Sequence, residues 1–481
     1  MTKSAQPRNT KLARYVKCAV MLALYLLFLY WVGSWWGLLV VPFIFDVYIT
    51  KKIPWTWWRT SKKKSVRVVM GWVDAIVFAL VAVYFLNQFF FQNYVIPSSS
   101  LEKTLLTGDY LLVSKLSYGP RIPQTPLYMP LTQHTMPITG TKSYFEHPHW
   151  DYRRIKGFGK PQLGDIVVFN YPAGDTVALN IQNQDFYRVA YELGDQLLGG
   201  ISQTLTDSMP YAEQQAVYSK ILQAGKSQMA QDKYFYGDIV SRPTDRRENY
   251  VKRCVGLPGQ TLEIIDNVVH LDGKPMFVPE NVQQSYLVTF DYYLGNDLKR
   301  ELGITNEDLS VCVGGNTYLM PLTKRAKEGL EKCEGLVSKI EKAPSADTWL
   351  YPLNKCKKWT VSSYGPIWIP KRGETITLTL DKLPIYERPI AVYEGNKLEV
   401  KNGLIYINGK QTDKYTFRMD YYWMQGDILD NSADSRFWGF VPEDHVVGKP
   451  LFIWMSLDPD YGLFDGKIRW SRLFKWVGDI K

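Results

Sequence analysis

One apolar stretch constrains the fold of this chain more than any other feature of its sequence. Residues 68–91, VVMGWVDAIVFALVAVYFLNQFFF, have the length of about 20 residues that an α-helix needs to cross a bilayer, and they include one charged side chain, Asp74. Asn87, Gln88 and a run of three phenylalanines lie at the far end of the stretch. The sequence therefore predicts a transmembrane helix over 68–91.

A second apolar region, residues 18–49, is interrupted by GSWWG at 33–37 and by Pro42. Strongly basic segments flank this region on both sides. Because basic flanks stay in the cytoplasm, the arrangement favours an even number of crossings. We expect a membrane hairpin with arms of about 15 residues each, and a re-entrant or interfacial hairpin is the alternative.

The positive charge of the chain is concentrated before the predicted transmembrane helix. Residues 1–67 hold twelve Lys or Arg and one acid, Asp46, whereas the remaining chain carries 45 bases and 46 acids. A nucleic-acid-binding groove would need a basic folded part, so this distribution argues against nucleic acid as a partner. It predicts that the basic segments within 1–67 are cytoplasmic and that residues 92–481 lie on the other side of the bilayer.

The exported part of the chain is rich in short predicted strands. Three β-rich runs bounded by Gly-Asp, Pro or Pro-Gly are GDYLLVSK at 108–115, GDIVVFNYP at 164–172 and NYVKRCVGLPG at 249–259. Two similar segments, LEIIDNVVHLDGKP at 262–275 and LEVKNGLIYINGKQ at 398–411, each contain two turn dipeptides between apolar runs. We expect a mainly β domain with two similar hairpins.

Two long spacers separate these strands and are predicted to be insertions. Residues 173–245 contain apolar positions at helical spacing in DFYRVAYELGDQLL and AEQQAVYSKILQAGK. Residues 276–396 combine a Lys/Glu-rich helical segment at 323–342 with strand patterns such as ETITLTLDKL. The insertions are therefore expected to be α+β.

The cysteines and histidines give no sign of a metal site or a Ser-His-Asp triad. The chain has five histidines and no H-E-x-x-H, G-x-S-x-G or C-x-x-C pattern. Neither a metal nor another cofactor is expected. A disulfide among Cys312, Cys333 and Cys356 is compatible with an oxidising compartment, but the spacing does not determine the pairing.

A lysine can replace histidine as the base that activates a serine if burial lowers its pKa. The strand pattern YVKRCV contains Lys252 beside Arg253, and neighbouring side chains on a strand point to opposite faces. Only the lysine can lose its proton, so Lys252 is the candidate base. An exposed cationic pair at a strand edge is the alternative.

Four segments stand in the same order as the conserved boxes of bacterial signal peptidase I, the membrane-bound serine peptidase that removes signal peptides. They are IPSSSLEKTLLTGDYLLVSKLSYG, GDIVVFNYP, YVKRCVGLPGQTLEI and GDILDNSADSRFWGFVPEDHVVGKP. With the preceding helix, the resemblance covers roughly 100 of the 481 residues and excludes the two spacers. It implies a mainly β exported catalytic domain with the LexA-like β-fold of signal peptidases, inserted α+β regions and N-terminal transmembrane anchors.

The resemblance implies a role for each matched residue. Ser100 matches the nucleophile, Lys252 the general base, and Ser98 the residue whose hydroxyl joins the Ser100 backbone N–H in the oxyanion hole. The matches to the lysine-orienting hydroxyl and to a supporting pair are Ser432, Asp434 and Arg436. The matches to residues that line the small substrate pockets are Ile96, Leu101, Leu105, Tyr250 and Val251.

Five residues depart from the family pattern near these positions. Leu101 and Lys103 stand where Met and Pro are usual, and Ser99 stands where Gly is common. Ile428 and Leu429 replace polar residues in the last box. None of these changes removes a proposed catalytic group.

The predicted function is that of a serine endopeptidase that cleaves exported preproteins after small residues, at A-x-A type sites. Phe91 precedes Ser100 by nine residues, which limits their separation to about 30 Å and keeps the serine near the bilayer. The expected partners are signal-bearing preproteins, the lipid bilayer and the protein export machinery, and the expected location is the bacterial cytoplasmic membrane with an extracytoplasmic catalytic domain. The alternative is an inactive relative that serves as a scaffold or binding protein in secretion.

Overall fold

The computed structural model describes residues 9–206, 208–344, 349–354, 359–430, 432–462 and 464–480. In chain order its α-helices are α1 Asn9–Val32, α2 Val41–Phe45, α3 Lys64–Phe89, α4 Phe186–Leu197, α5 Tyr211–Gln231, α6 Lys233–Tyr236, α7 Asn296–Leu302, α8 Lys324–Glu331, α9 Leu383–Arg388 and α10 Ser435–Trp438. The first strands are β1 Phe91–Val95, β2 Asp109–Ser114, β3 Ile166–Asn170, β4 Thr176–Ala178, β5 Ile239–Ser241, β6 Asn249–Gly256, β7 Thr261–Ile265, β8 Val268–Leu271, β9 Lys274–Pro275 and β10 Gln283–Phe290. The later strands are β11 Cys312–Gly314, β12 Thr317–Thr323, β13 Val337–Lys342, β14 Tyr364–Trp368, β15 Thr375–Thr377, β16 Leu398–Lys401, β17 Leu404–Ile407, β18 Lys410–Gln411, β19 Lys414–Thr416, β20 Tyr421–Gln425, β21 Val441–Pro442, β22 Val446–Ser456 and β23 Lys475–Trp476.

Helices α1 and α3 are both long and apolar enough to cross a bilayer. The C-terminal ends of the two helices meet, where the ring of Phe28 lies 5.4 Å from that of Phe89. The first helix differs from the expected arm of about 15 residues: it begins at Asn9 and has 24 residues. Arg14 and Lys17 do not interrupt it, since lysine and arginine are good helix formers.

The chain after α1 turns back along that helix. The Tyr25 hydroxyl donates a hydrogen bond of 2.8 Å to the carbonyl of Gly37, which lies in a short helical turn, Trp36–Val40. Residues 41–50 continue as α2 and a single π-helical turn, Asp46–Thr50. The second arm of the predicted hairpin is therefore a series of short turns, whereas the first arm, α1, is long enough to cross a bilayer.

An antiparallel sheet of eight strands forms the centre of the part that follows α3. Its order is β1-β2-β22-β3-β6-β20-β21, with β23 paired to β22. Side chains of β3 alternate between two cores: Val167 and Phe169 pack on one face, and Ile166 and Val168 pack on the other. Because both faces are covered, the apolar run of this strand is continuous rather than alternating.

The two predicted hairpins are confirmed, and they form β7-β8-β9 and β16-β17-β18. The positive φ values within Asp266-Asn267, Asp272-Gly273, Asn402-Gly403 and Asn408-Gly409 lie between 46° and 79°. Positive φ at both central residues defines the type I′ turn that fits the twist of a two-residue hairpin. Asn, Asp and Gly tolerate this conformation, which explains why these dipeptides identified the turns.

The predicted helices of residues 173–245 are confirmed as α4 and α5, which pack against each other around their own small core. The segment 276–396 is divided differently from the prediction. Residues 283–342, here called the cover subdomain, surround a separate core made of Val288, Phe290, Leu294, Ile304, Met320, Leu322, Ala326 and Leu330. Residues 359–396 instead pack into the core of the hairpins.

Two local predictions in this segment need correction. The Lys/Glu-rich segment 323–342 is a helix only as far as Glu331, and its second half is strand β13, paired with β10. Of ETITLTLDKL, only Thr375–Thr377 is a strand. Cys312 and Cys333 are free thiols, and Cys356 lies outside the described residues.

Candidate active site

A cavity of about 1270 Å³ opens at one end of the central sheet. Ser98, Ser100 and Lys252 all line this cavity, although they come from distant parts of the sequence. The C-terminal turns of α3, including Tyr84 and Asn87, line it as well. The fold therefore brings the candidate nucleophile and base into one space beside the apolar helix.

Ser100 lies in a single 3-10 turn, Ser99–Leu101, between β1 and β2. The turn is anchored by apolar side chains before and after the serine, because Ile96 is 4% exposed and Leu101 is 2% exposed. The carbonyl oxygen of Ser100 accepts a hydrogen bond of 3.0 Å from the backbone N–H of Asp427. The main chain of the serine is thus fixed by apolar anchors before and after it and by this hydrogen bond, while the residue itself lines the cavity.

Lys252 lies on β6, a central strand paired with β3 and β20. Its side chain is 2% exposed, which excludes the alternative of an exposed cationic pair. Burial lowers the pKa of Lys252 to about 8, although the negative charges of Asp434 and Asp427 act in the opposite direction. About a tenth of the amine is therefore neutral at pH 7 and able to accept a proton, far more than for a lysine in water.

Ser432 lies next to the Ser100 turn at the point where two loops almost touch. A Cβ atom added to Gly426 would lie 2.0 Å from the Ser432 hydroxyl and 2.8 Å from the Ser100 carbonyl oxygen. The Ser432 hydroxyl is buried and makes no hydrogen bond to any described residue. The expected hydrogen bond from Ser432 to Lys252 is accordingly not formed in this structure, and the orienting role remains a prediction.

Asp434 and Arg436 form a fully buried ion pair behind this loop. Arg436 Nε donates to Asp434 Oδ1 at 2.9 Å and Nη2 donates to Oδ2 at 2.6 Å, and both side chains are 0% exposed. The carboxylate also accepts a hydrogen bond of 3.3 Å from the backbone N–H of Gly426. The pair therefore holds the glycine that separates Ser432 from Ser100.

A model of the family described as "Signal peptidase, peptidase S26" matches residues 69–187, 199–317 and 373–455, which is more than half of the chain. The chain belongs to this family. The match places it among peptidases, which confirms the prediction of a hydrolase. It also extends into both predicted insertions, so the resemblance is wider than the sequence boxes indicated.

Named relatives agree with the family match. The chain is 25% identical over 414 residues to "Signal peptidase I" of Haemophilus influenzae, an alignment that covers 86% of this chain and 77% of the relative. It is 22% identical over 394 residues to "Signal peptidase I" of Buchnera aphidicola, covering 82% and 79% of the two chains. It is also 27% identical over 217 residues to "Signal peptidase I" of Helicobacter pylori, covering 43% and 65%.

In this member of the signal peptidase family, four of the five predicted pocket residues line the cavity. They are Ile96, Leu101, Tyr250 and Val251. Leu105 is 0% exposed and packs behind them in the same apolar core as Leu101 and Ile96. Leu105 therefore supports the wall of the cavity and does not form its surface.

A buried network beside the site was missed by the sequence prediction. Arg253 forms a two-point ion pair with Asp427, with both N–O distances at 2.8 Å, and Thr104 donates a hydrogen bond of 2.7 Å to the same carboxylate. The sequence did contain an indication of this network. If Lys252 enters the site, Arg253 points to the opposite face of the strand, and a buried arginine there needs a buried acidic partner. The network joins the segment after Ser100 to β6 and to the loop that follows β20.

Proposed function

We propose that this chain is a membrane-bound endopeptidase that removes signal peptides from exported preproteins by a Ser100/Lys252 dyad. The observation that carries the proposal is that a buried lysine with a lowered pKa and a serine held by its main chain line the same cavity. Membership of the signal peptidase family supports the substrate class. We also propose that cleavage follows small residues, because the cavity is lined by Ile96, Leu101, Tyr250 and Val251, which match the residues of the small substrate pockets in this family.

In the proposed reaction, neutral Lys252 takes the proton of the Ser100 hydroxyl as the oxygen attacks the scissile carbonyl carbon. The Ser98 hydroxyl and the Ser100 backbone N–H donate hydrogen bonds to the developing oxyanion, a contribution of about 3 kcal/mol per donor. The C–N bond breaks, and the leaving amine takes the proton from the Lys252 ammonium. Lys252 then takes a proton from water, whose oxygen attacks the ester, and this proton returns to the Ser100 oxygen as the acid product leaves.

We propose the bacterial cytoplasmic membrane as the location, with residues 92–481 on the extracytoplasmic side. Two long apolar helices and the basic segments before α3 support this orientation. The aromatic side chains of Trp470 and Phe474 are 72% and 71% exposed, which is suited to contact with a lipid surface. The proposed partners are signal-bearing preproteins, the bilayer and the export machinery.

The test is cleavage of a signal-bearing precursor by the detergent-solubilised full chain. We expect Ser100→Ala and Lys252→Ala each to abolish cleavage, because one removes the attacking oxygen and the other the base. The matched controls are Ser219→Ala and Lys274→Ala, which alter exposed positions on α5 and β9 and should leave cleavage unchanged. Cleavage that survives either dyad substitution contradicts the dyad, and precursor binding without cleavage by the wild type indicates the scaffold alternative.

A further inference from the structure

The cover subdomain contacts the turn that carries Ser100 through two adjacent acidic residues. Glu307 Oε1 accepts a hydrogen bond of 2.9 Å from the Ser99 hydroxyl. Asp308 Oδ2 accepts one of 3.0 Å from the Lys103 ammonium, and these two side chains are only 3% and 12% exposed. Ser99 and Lys103 stand on either side of Ser100, so the turn is held at both ends from more than 200 positions away in the sequence.

Asp308 is itself held firmly within the cover subdomain. Its carboxylate accepts a hydrogen bond of 2.8 Å from the backbone N–H of Thr305, and its own N–H donates to the Thr305 hydroxyl at 3.2 Å. Lys103 has a left-handed backbone with φ of 72°, a conformation that is unfavourable for a residue other than glycine. The largely buried ion pair with Asp308 therefore maintains a backbone conformation that lysine would not adopt unaided.

The same subdomain also contacts the loop that leads to Ser432. The backbone N–H of Gln283 donates a hydrogen bond of 2.9 Å to the carbonyl of Asp427. The backbone N–H of Leu429 donates one of 3.0 Å to the carbonyl of Gln283. The N–H of Ser285 donates 2.9 Å to the Asp430 carboxylate. One subdomain thus binds both loops that approach each other at Gly426.

Four of the five residues that depart from the family pattern lie at these contacts. Ser99 and Lys103 provide the side chains that bind Glu307 and Asp308, as described above. Ile428 and Leu429 are 1% and 7% exposed and pair with Gln283 through the backbone. Apolar side chains are stable at positions 428 and 429 because both positions are buried from water.

We propose that the cover subdomain is a clamp that positions the Ser100 hydroxyl, with Asp308 and Glu307 as positioning residues. This inference rests on the proposed function of Ser100. Neither acid lines the cavity, so each acts through the backbone of the Ser100 turn. A displacement of about 1 Å in a reacting group can lower a rate by about a hundredfold, so a loosened turn would reduce the rate of acylation more than substrate binding.

The first experiment measures cleavage kinetics of Asp308→Asn in the solubilised full chain. We expect kcat to fall by about tenfold to a hundredfold while KM changes less than about threefold, because the clamp acts on the reacting oxygen. The matched control is Glu328→Gln, which alters an exposed ion pair with Lys324 on α8 of the same subdomain and should leave both constants unchanged. Wild-type kcat in Asp308→Asn overturns the inference.

A charge reversal separates positioning from general loss of folding. In Lys103→Asp/Asp308→Lys the ion pair can re-form, so we expect kcat to recover at least about tenfold relative to Lys103→Asp alone. The apparent pKa of the pH–rate profile should stay at the wild-type value in every variant, since the clamp does not contact Lys252. A shifted apparent pKa, or no recovery in a folded double variant, overturns the inference.

Hydrogen exchange tests the clamp without relying on peptidase activity. The backbone N–H groups of Glu102, Thr104 and Leu105 are hydrogen-bonded within the Ser100 turn. We expect these amides to exchange faster in Asp308→Asn than in the wild type, and at the wild-type rate in Glu328→Gln. If the wild type does not cleave precursors, the proposed function fails. Unchanged exchange in Asp308→Asn overturns the clamp whether or not the wild type cleaves.

Discussion

Lys252 illustrates, at the scale of the residue, what the sequence could and could not predict. Strand patterning and the resemblance to signal peptidases identified Lys252 and Ser100, and the structure places both at one cavity. The degree of burial could not be predicted, because it depends on strands and loops that are distant in the sequence. The Asp427 carboxylate was missed for the same reason: its partners, Thr104 and Arg253, are 323 and 174 positions away.

The lowered pKa of Lys252 predicts the direction of the pH dependence. The protonated amine cannot accept the serine proton, so kcat/KM should rise as the pH increases through about 8, the pKa that burial gives this lysine. The measurement is a pH–rate profile of the full chain with a precursor peptide, with residual activity at pH 7 checked after each exposure. A rise centred near the ordinary lysine pKa of 10.5 would contradict a desolvated base.

At the scale of the element, local turn chemistry was more informative than composition. The four turn dipeptides predicted the hairpins correctly because Asn, Asp and Gly tolerate positive φ irrespective of distant contacts. The segment 323–342 was predicted poorly because its charged residues suit a helix, whereas pairing with β10 makes its second half a strand. Tertiary pairing overrode local propensity there.

The Arg253–Asp427–Thr104 network connects three elements, and its removal should destabilise the fold. In Asp427→Asn the buried Arg253 guanidinium loses its counter-charge, and we expect the free energy of unfolding to fall by about 3 kcal/mol. Denaturant unfolding of the solubilised chain measures this change, with the exposed Asp413→Asn as the matched control. An unfolding midpoint equal to that of the wild type would show that the network contributes little stability.

At the scale of the whole molecule, the positions of the helix ends support the proposed orientation of the chain in the membrane. The C-terminal ends of α1 and α3 both contact the folded part that follows α3. Arg153 donates a hydrogen bond of 3.0 Å to the Gly33 carbonyl, and Gln88 donates one of 2.7 Å to the Arg121 carbonyl. The segment 51–63 returns to the start of α3, where Arg59 lies 3.7 Å from Asp74. The sequence predicted the basic flanks of this arrangement, but the length of α1 and the position of the cover subdomain depend on distant contacts.

This arrangement predicts a specific pattern of protease accessibility. Trypsin added to spheroplasts should leave the basic cluster at 51–64 intact, because we expect it in the cytoplasm. The same cluster should be cleaved in inside-out vesicles, while the exported part, including the 97%-exposed Tyr234 region, should be accessible only in spheroplasts. Fragment mass measures both, and cleavage at 51–64 in intact spheroplasts would reverse the proposed orientation.

The cavity that contains Ser100 continues as far as Tyr84 and Asn87 on α3. In a bilayer, this continuity would give an extended peptide a sheltered route from the lipid headgroups to the serine hydroxyl. A polypeptide already tethered in the same membrane would then search along a surface rather than through solution. Its effective concentration at the enzyme would be set by the geometry of that tether and would depend little on the volume of the surrounding solution.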